Sequence, residues 1–178
     1  MSEQQPINQE SQWAEHEQNL RTLAAQGDVE ACYQLVVYFE NQFFSTEVEE
    51  AQQRVNLLVD ASNAKHAAAS LLLGRWYLQG HYVEANLQHA IAFFEFAANE
   101  CQSSDAYNEL ANLYLQGVFV VVNQEKAMHY LKKAVALKNA EATYAYAVLL
   151  LNHDLEQAFA LLQSNYQEQQ HQQSAKFL

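Results

Sequence analysis

Residues that break helices are nearly missing from this chain, with four glycines and one proline among 178 residues. So few breakers, with Ala, Leu, Gln and Glu abundant, argue for an all-helical protein. Cysteine is as scarce. Cys32 and Cys101 lie 69 positions apart without a CxxC pattern or a neighbouring His. A lone disulfide is unmotivated, and two reduced thiols, buried or half-buried, are the better reading. No apolar run approaches the roughly 18 residues of a membrane span, so no membrane association is expected. The opening residues Met1-Ser2-Glu3-Gln4-Gln5-Pro6 lack the basic and apolar regions of a secretory leader, which reads as a cytoplasmic protein. Bases are the last shortage: nine Lys and Arg face 21 Asp and Glu, a formal net charge of −12. An acidic surface repels phosphate backbones, so nucleic acid is disfavoured as a partner.

The charge is lopsided. Residues 1–60 hold eleven acids against Arg21 and Arg54, a balance of −9, and residues 61–178 balance at −3. Two readings stay open. The N-terminal third steers a basic protein partner, or the acidity keeps a bacterial-style helical protein in solution.

What the chain does have is repetition. Leu73-Gly74-Arg75-Trp76-Tyr77-Leu78-Gln79-Gly80 returns 37 residues later as Leu110-Ala111-Asn112-Leu113-Tyr114-Leu115-Gln116-Gly117. Val83, Asn86 and Ala90 follow the first copy, and Val120, Asn123 and Ala127 follow the second at the same spacing. A period of this length with two helical patterns inside it means stacked helical hairpins. Small residues at 74, 90, 97, 111, 127 and 134 permit close helix contact, with Tyr, Phe and Leu filling the gaps.

Read in order, residues 1–10 form a polar, disordered tail and residues 11–27 a capping helix with Trp13, Leu20, Leu23 and Ala24 on one face. Gly27 ends it. Four units follow, over residues 28–65, 66–103, 104–139 and 140–163, the first and last degenerate. Asp28, Asn86 and Asn123 are the expected helix caps, and Thr46 with Glu49 reads as a capping box. The Gln-rich residues 164–178 stay open between helix and disorder. Val118-Phe119-Val120-Val121-Val122 looks like a strand in isolation, but its place between two repeat helices predicts a buried loop.

These residues resemble the Sel1-like repeat, a relative of the tetratricopeptide repeat, whose pattern is Ala-x3-Leu-Gly-x2-Tyr-x2-Gly-x-Gly-Val-x2-Asp-x2-Lys-Ala. The second copy supplies Ala69, Leu73, Gly74, Tyr77, Gly80, Val83 and Ala90. The third supplies Ala106, Leu110, Tyr114, Gly117, Val120, Lys126 and Ala127. Tyr82 and Phe119 replace the second loop glycine, Asn86 and Asn123 replace the capping Asp, and a tighter or more buried loop is expected. The resemblance covers residues 28–163. It implies an all-α, right-handed α-α superhelix of about four hairpins behind an N-terminal capping helix. It also implies a non-enzymatic adaptor or scaffold that binds a protein or peptide.

Little in the residues suggests chemistry. His89 and His129 sit at non-equivalent places in their repeats. Glu125 and His129, four apart, read better as a solvated pair than as metal ligands. No GxSxG, P-loop or GxGxxG occurs, so neither an enzyme, a cofactor nor a metal is expected. Lys126, Lys132, Lys133 and Lys138 form a basic cluster, read as the wet back of the stack or as a docking stripe for an acidic partner. In the tetratricopeptide relatives the first helix of each pair lines the concave surface. Projected on this chain, that surface holds Tyr33, Val37, Glu40, Arg75, Leu78, Gln79, Asn108, Asn112, Gln116 and Tyr144. Asn108 and Asn112, one turn apart, would hold a peptide backbone, and Tyr33 and Tyr144 would add rigid aromatic contacts. An acidic inhibitor, an immunity protein that plugs a basic toxin or nuclease, is the alternative.

Overall fold

The computed structural model describes residues 9–42, 48–151 and 153–175, and among them every regular element is helical. The helices are α1 (Gln9–Ala25), α2 (Val29–Gln42), α3 (Val48–Asn63), α4 (Ala67–Gln79), α5 (Leu87–Asn99), α6 (Ser104–Gln116), α7 (Gln124–Ala136), α8 (Ala140–Leu150) and α9 (Leu155–Ala175). The chain divides into two compact units, residues 1–93 and 94–178. In the first, α1 packs on α2, α2 on α3 and α3 on α4; in the second, α6 packs on α7, α7 on α8 and α8 on α9.

The first unit is held by Cys32 and Val36 of α2, Val55, Leu58 and Ala61 of α3, and Ala69, Leu73 and Trp76 of α4. A smaller cluster of Leu20, Ala31 and Leu35 fastens the N-terminal helix. Leu23 and Ala24 flank that cluster, whereas Trp13, expected on the packed face, is half exposed. In the second unit Ala106, Leu110, Ala111, Ala127, Leu131, Ala134, Tyr146 and Ala147 are buried. Every small residue singled out by the repeat is buried, which lets the helices approach closely.

Local signals set the helix ends. Asp28, Asn86 and Asn123 accept the backbone N–H of Ala31, His89 and Lys126 at 2.8, 3.1 and 2.9 Å, as cap residues do. Gly27, Gly80 and Gly117 take φ of +84°, +73° and +66°, the left-handed turn that stops a helix. The capping box at Thr46 lies outside the described residues, as do residues 1–8. The N-terminal helix begins at Gln9, two residues before the expected start. The Gln-rich stretch is helix as far as Ala175, because α9 runs on without a break.

Residues 118–122 are a loop between α6 and α7, but not a buried one. Val118, Phe119, Val121 and Val122 are exposed, Val121 to 89%. Comparison with the equivalent Tyr82 gives the reason. Tyr82 lies against Trp76 with ring centroids 4.7 Å apart, and its hydroxyl accepts from Arg54 at 2.7 Å. One period on, Phe119 has no hydroxyl and Leu113 stands in place of Trp76.

Candidate functional site

The first helix of each hairpin carries the residues projected as a binding surface, and each unit presents its own share. In the first unit Tyr33, Val37 and Glu40 lie on α2, and Arg75, Leu78 and Gln79 on α4. Trp76 Nε1 donates to Glu40 Oε1 at 3.0 Å, so α2 and α4 are joined across one repeat. The Tyr33 ring tilts over His66 at 4.8 Å and borders the core, which leaves it half-buried. Val37 and Leu78 are half-buried as well, and Arg75 and Gln79, one helical turn apart, are exposed.

In the second unit Asn108, Asn112 and Gln116 lie on α6 and Tyr144 on α8. The expected pair of asparagine clamps is not offered. Asn108 is 8% exposed, and its Nδ2 donates to Glu141 Oε2 on α8 at 3.3 Å. Glu141 belongs to the following repeat, so the amide is occupied by a neighbour that sequence spacing within one helix does not reveal. Asn112 is half-buried and Gln116 exposed. Tyr144 is 61% exposed and lines a cavity of about 400 Å³ with Glu141, Leu162, Asn165 and Tyr166.

Bonds spanning one repeat recur. His66 Nε2 donates to Glu30 Oε2 at 2.9 Å while its Nδ1 accepts the N–H of Ala69 at 3.1 Å. Asn139 caps α8 and donates to Asp105 Oδ1 at 2.8 Å, and Tyr130 donates to Glu95 Oε1 at 3.1 Å. The bond from His66 holds the Glu30 carboxyl below the ordinary glutamate value, with a smaller contribution from Gln34. Burial pushes the Tyr130 phenol up to about 12, helped by the Glu95 charge. Burial likewise pushes the Cys32 thiol up, and Cys32 and Cys101 are both free thiols.

The basic cluster is partly engaged by aromatic rings. Lys126 Nζ stands 5.0 Å from the Tyr114 ring and Lys133 Nζ 5.2 Å from Tyr107, and Tyr130 stacks on both tyrosines. Such contacts tie down cations that a docking stripe would present.

Sequence reasoning missed Arg54. It occupies the place in α3 that Ala90 and Ala127 hold in later repeats, and it is 3% exposed. Its guanidinium lies 5.4 Å from the Phe39 ring and 5.1 Å from the Tyr82 ring, with Glu50 Oε2 at 3.8 Å. Arg21 stands over Phe39 at 5.2 Å. Glu17, Arg21, Leu35, Phe39, Glu50 and Arg54 line a cavity of about 320 Å³ in the first unit. An Arg in register with repeat alanines was the available signal. Among the described residues, no group of three or more His, Cys, Asp or Glu side chains is placed to hold a metal ion. No helix among them is long and apolar enough to cross a membrane.

Two stretches, residues 67–100 and 104–139, match the Sel1 repeat. Both stretches are Sel1 repeats. The chain's fold is shared with a Sel1 repeat protein from Oxalobacter formigenes at a TM-score of 0.75 and 20% identity, over 88% of this chain and 64% of that one. It is shared too with a protective antigen of uropathogenic Escherichia coli strains that displays an SLR fold, at 0.72 and 17%, over 85% and 33%. Likeness at these identities establishes the fold, an all-α helical repeat of the superhelical class. The chain spans less than two thirds of either structure's length. No curated protein matches it. Sel1 repeat proteins generally mediate protein–protein interaction, and the family is typically non-enzymatic.

Proposed function

We propose that this protein is a non-enzymatic adaptor whose Sel1 repeats each offer the first helix to an extended segment of a protein partner. The supporting observation is a repeated polar pair. Arg75 and Gln79 on α4 are exposed, and at the same repeat positions α6 carries the half-buried Asn112 and the exposed Gln116. Arg supplies donors, and Asn and Gln supply both donor and acceptor, the chemistry that satisfies the backbone of an extended peptide. Asn108 and Glu40 serve to join repeats, and Tyr33 supports His66.

A partner captured from the native source is the test. Arg75→Ala with Gln79→Ala, and separately Asn112→Ala with Gln116→Ala, should each weaken capture about tenfold. The thermal melt of the Arg75→Ala, Gln79→Ala variant should hold within about 0.5 kcal/mol, as expected of exposed positions. Full capture by both double variants would rule the surface out. A basic partner, as for an acidic inhibitor, is the second reading, supported by the exposed Glu15, Asp28, Glu30, Glu50 and Asp60 of the first unit. It predicts affinity that falls steeply with added salt.

A further inference from the structure

Helical repeat arrays need end units with a polar outer face, because each hairpin otherwise leaves apolar surface where the next would stack. Helix α1 presents exposed Glu15, Gln18, Asn19, Arg21 and Thr22 beside the half-exposed Trp13. The hairpin of α8 and α9 presents an apolar set instead. At the repeat positions of Asn108, Asn112 and Leu115 in α6, α8 carries Tyr144, Val148 and Leu151. Where α7 has Gln124, Met128 and Val135, α9 has Leu155, Phe159 and Tyr166.

The inner positions are mostly covered: Asn108 is buried, and Asn112, Leu115, Met128 and Val135 are half-buried. Their counterparts are open, with Phe159 60% and Tyr166 64% exposed, and Val148, Leu151 and Leu155 exposed too. Spacings of four and three residues put each set on one helix face. Tyr144, Leu162 and Tyr166 line one cavity between the helices, so the two stripes form a continuous surface.

We propose that this face of α8 and α9 pairs with the same face of a second copy of the chain, as a twofold dimer. Two positions that are covered on α6 turn apolar and exposed on α8, where Tyr144 and Val148 stand in place of Asn108 and Asn112. The apolar area is about 600 Å² per copy, near the upper limit for a lone monomer patch. Two such faces give about 1,200 Å², the lower bound of a stable interface. Glu141 is the one charged residue lining the cavity, and Asn108 already donates to it. Pairing the same face of both copies gives a closed, self-complementary arrangement.

Sedimentation equilibrium of the full chain over about 1–100 µM, a span typical of modest interfaces, tests this. The expected mass rises from 20.3 kDa toward twice that value. Phe159→Asp and Tyr166→Asp, both at exposed positions, should each raise the dimer dissociation constant about tenfold or more with an unchanged circular dichroism spectrum. Trp13→Asp on α1 should leave the dimer intact. A wild-type mass fixed at 20.3 kDa throughout overturns the proposal. A dimer indifferent to both C-terminal substitutions, or lost on Trp13→Asp, overturns it as well.

Discussion

At the scale of single residues, His66 and Glu30 show how a repeat is fastened to the one before it. The Nδ1 of His66 accepts the N–H of Ala69, which places the ring proton on Nε2, and that proton goes to Glu30. A hydrogen bond to the ionised carboxylate stabilises the charged form and lowers the carboxyl pKa, here from an ordinary 4.5. The folded value lies below the unfolded one, so the stabilisation is complete above about pH 4.5 and is lost as pH falls through the lowered folded value. Melting wild type and Glu30→Gln from about pH 6 to pH 3 should show the wild type losing its advantage across that window. Parallel pH profiles would refute the role of Glu30. The caps at Asp28, Asn86 and Asn123 were legible in the sequence because a cap is decided within four residues. His66 was not, because imidazole is an uncommon cap and its second partner lies 36 residues away. Asn108 and Glu40 were misread for the same reason, since Glu141 and Trp76 reach them from a neighbouring repeat.

At the scale of the element, two kinds of joint alternate. Within a hairpin, Gly80 and Gly117 turn the chain with positive φ. Between hairpins the same left-handed step is made by Lys65, Gln102 and Lys138, at φ of 64°, 52° and 62°. Each is followed by a cap, His66, Ser103 or Asn139. A side chain in this region costs about 1 kcal/mol that glycine avoids. Lys138→Gly should therefore raise stability by about 0.5–1 kcal/mol, since its exposed pairing with Glu168 at 3.8 Å contributes little. Gly117→Ala should lower stability by more than about 1 kcal/mol, because an added Cβ would also run into Val122 Cγ2. Chemical denaturation of both variants checks the opposite signs, and a shift in one direction for both would contradict this account of the joints. Helix periodicity and the glycine stops were legible because they repeat at 37 residues. The exposure of residues 118–122 was not, because it turns on what stands opposite the loop aromatic: Trp76 and Arg54 for Tyr82, but Leu113 for Phe119.

At the scale of the whole molecule, the net charge of −12 acts on both stability and recognition. Acids outnumber Lys and Arg by 21 to nine, and the Arg21–Glu17 and Lys138–Glu168 ion pairs are largely exposed. Exposed pairs contribute about 0–1 kcal/mol each, whereas the summed repulsion acts on every acid within a Debye length. Screening removes more repulsion than attraction. The melting temperature of the protein alone should then rise between about 0.01 and 0.2 M NaCl, by roughly 2–4 °C if about 1 kcal/mol of repulsion is relieved. A melting temperature that falls with salt would mean that the ion pairs outweigh the repulsion. It would also remove the field invoked to draw a basic segment toward the first unit. A rise in stability together with weaker capture of a basic partner, over the same salt range, would trace both effects to the acids concentrated in residues 1–60, where the balance is −9.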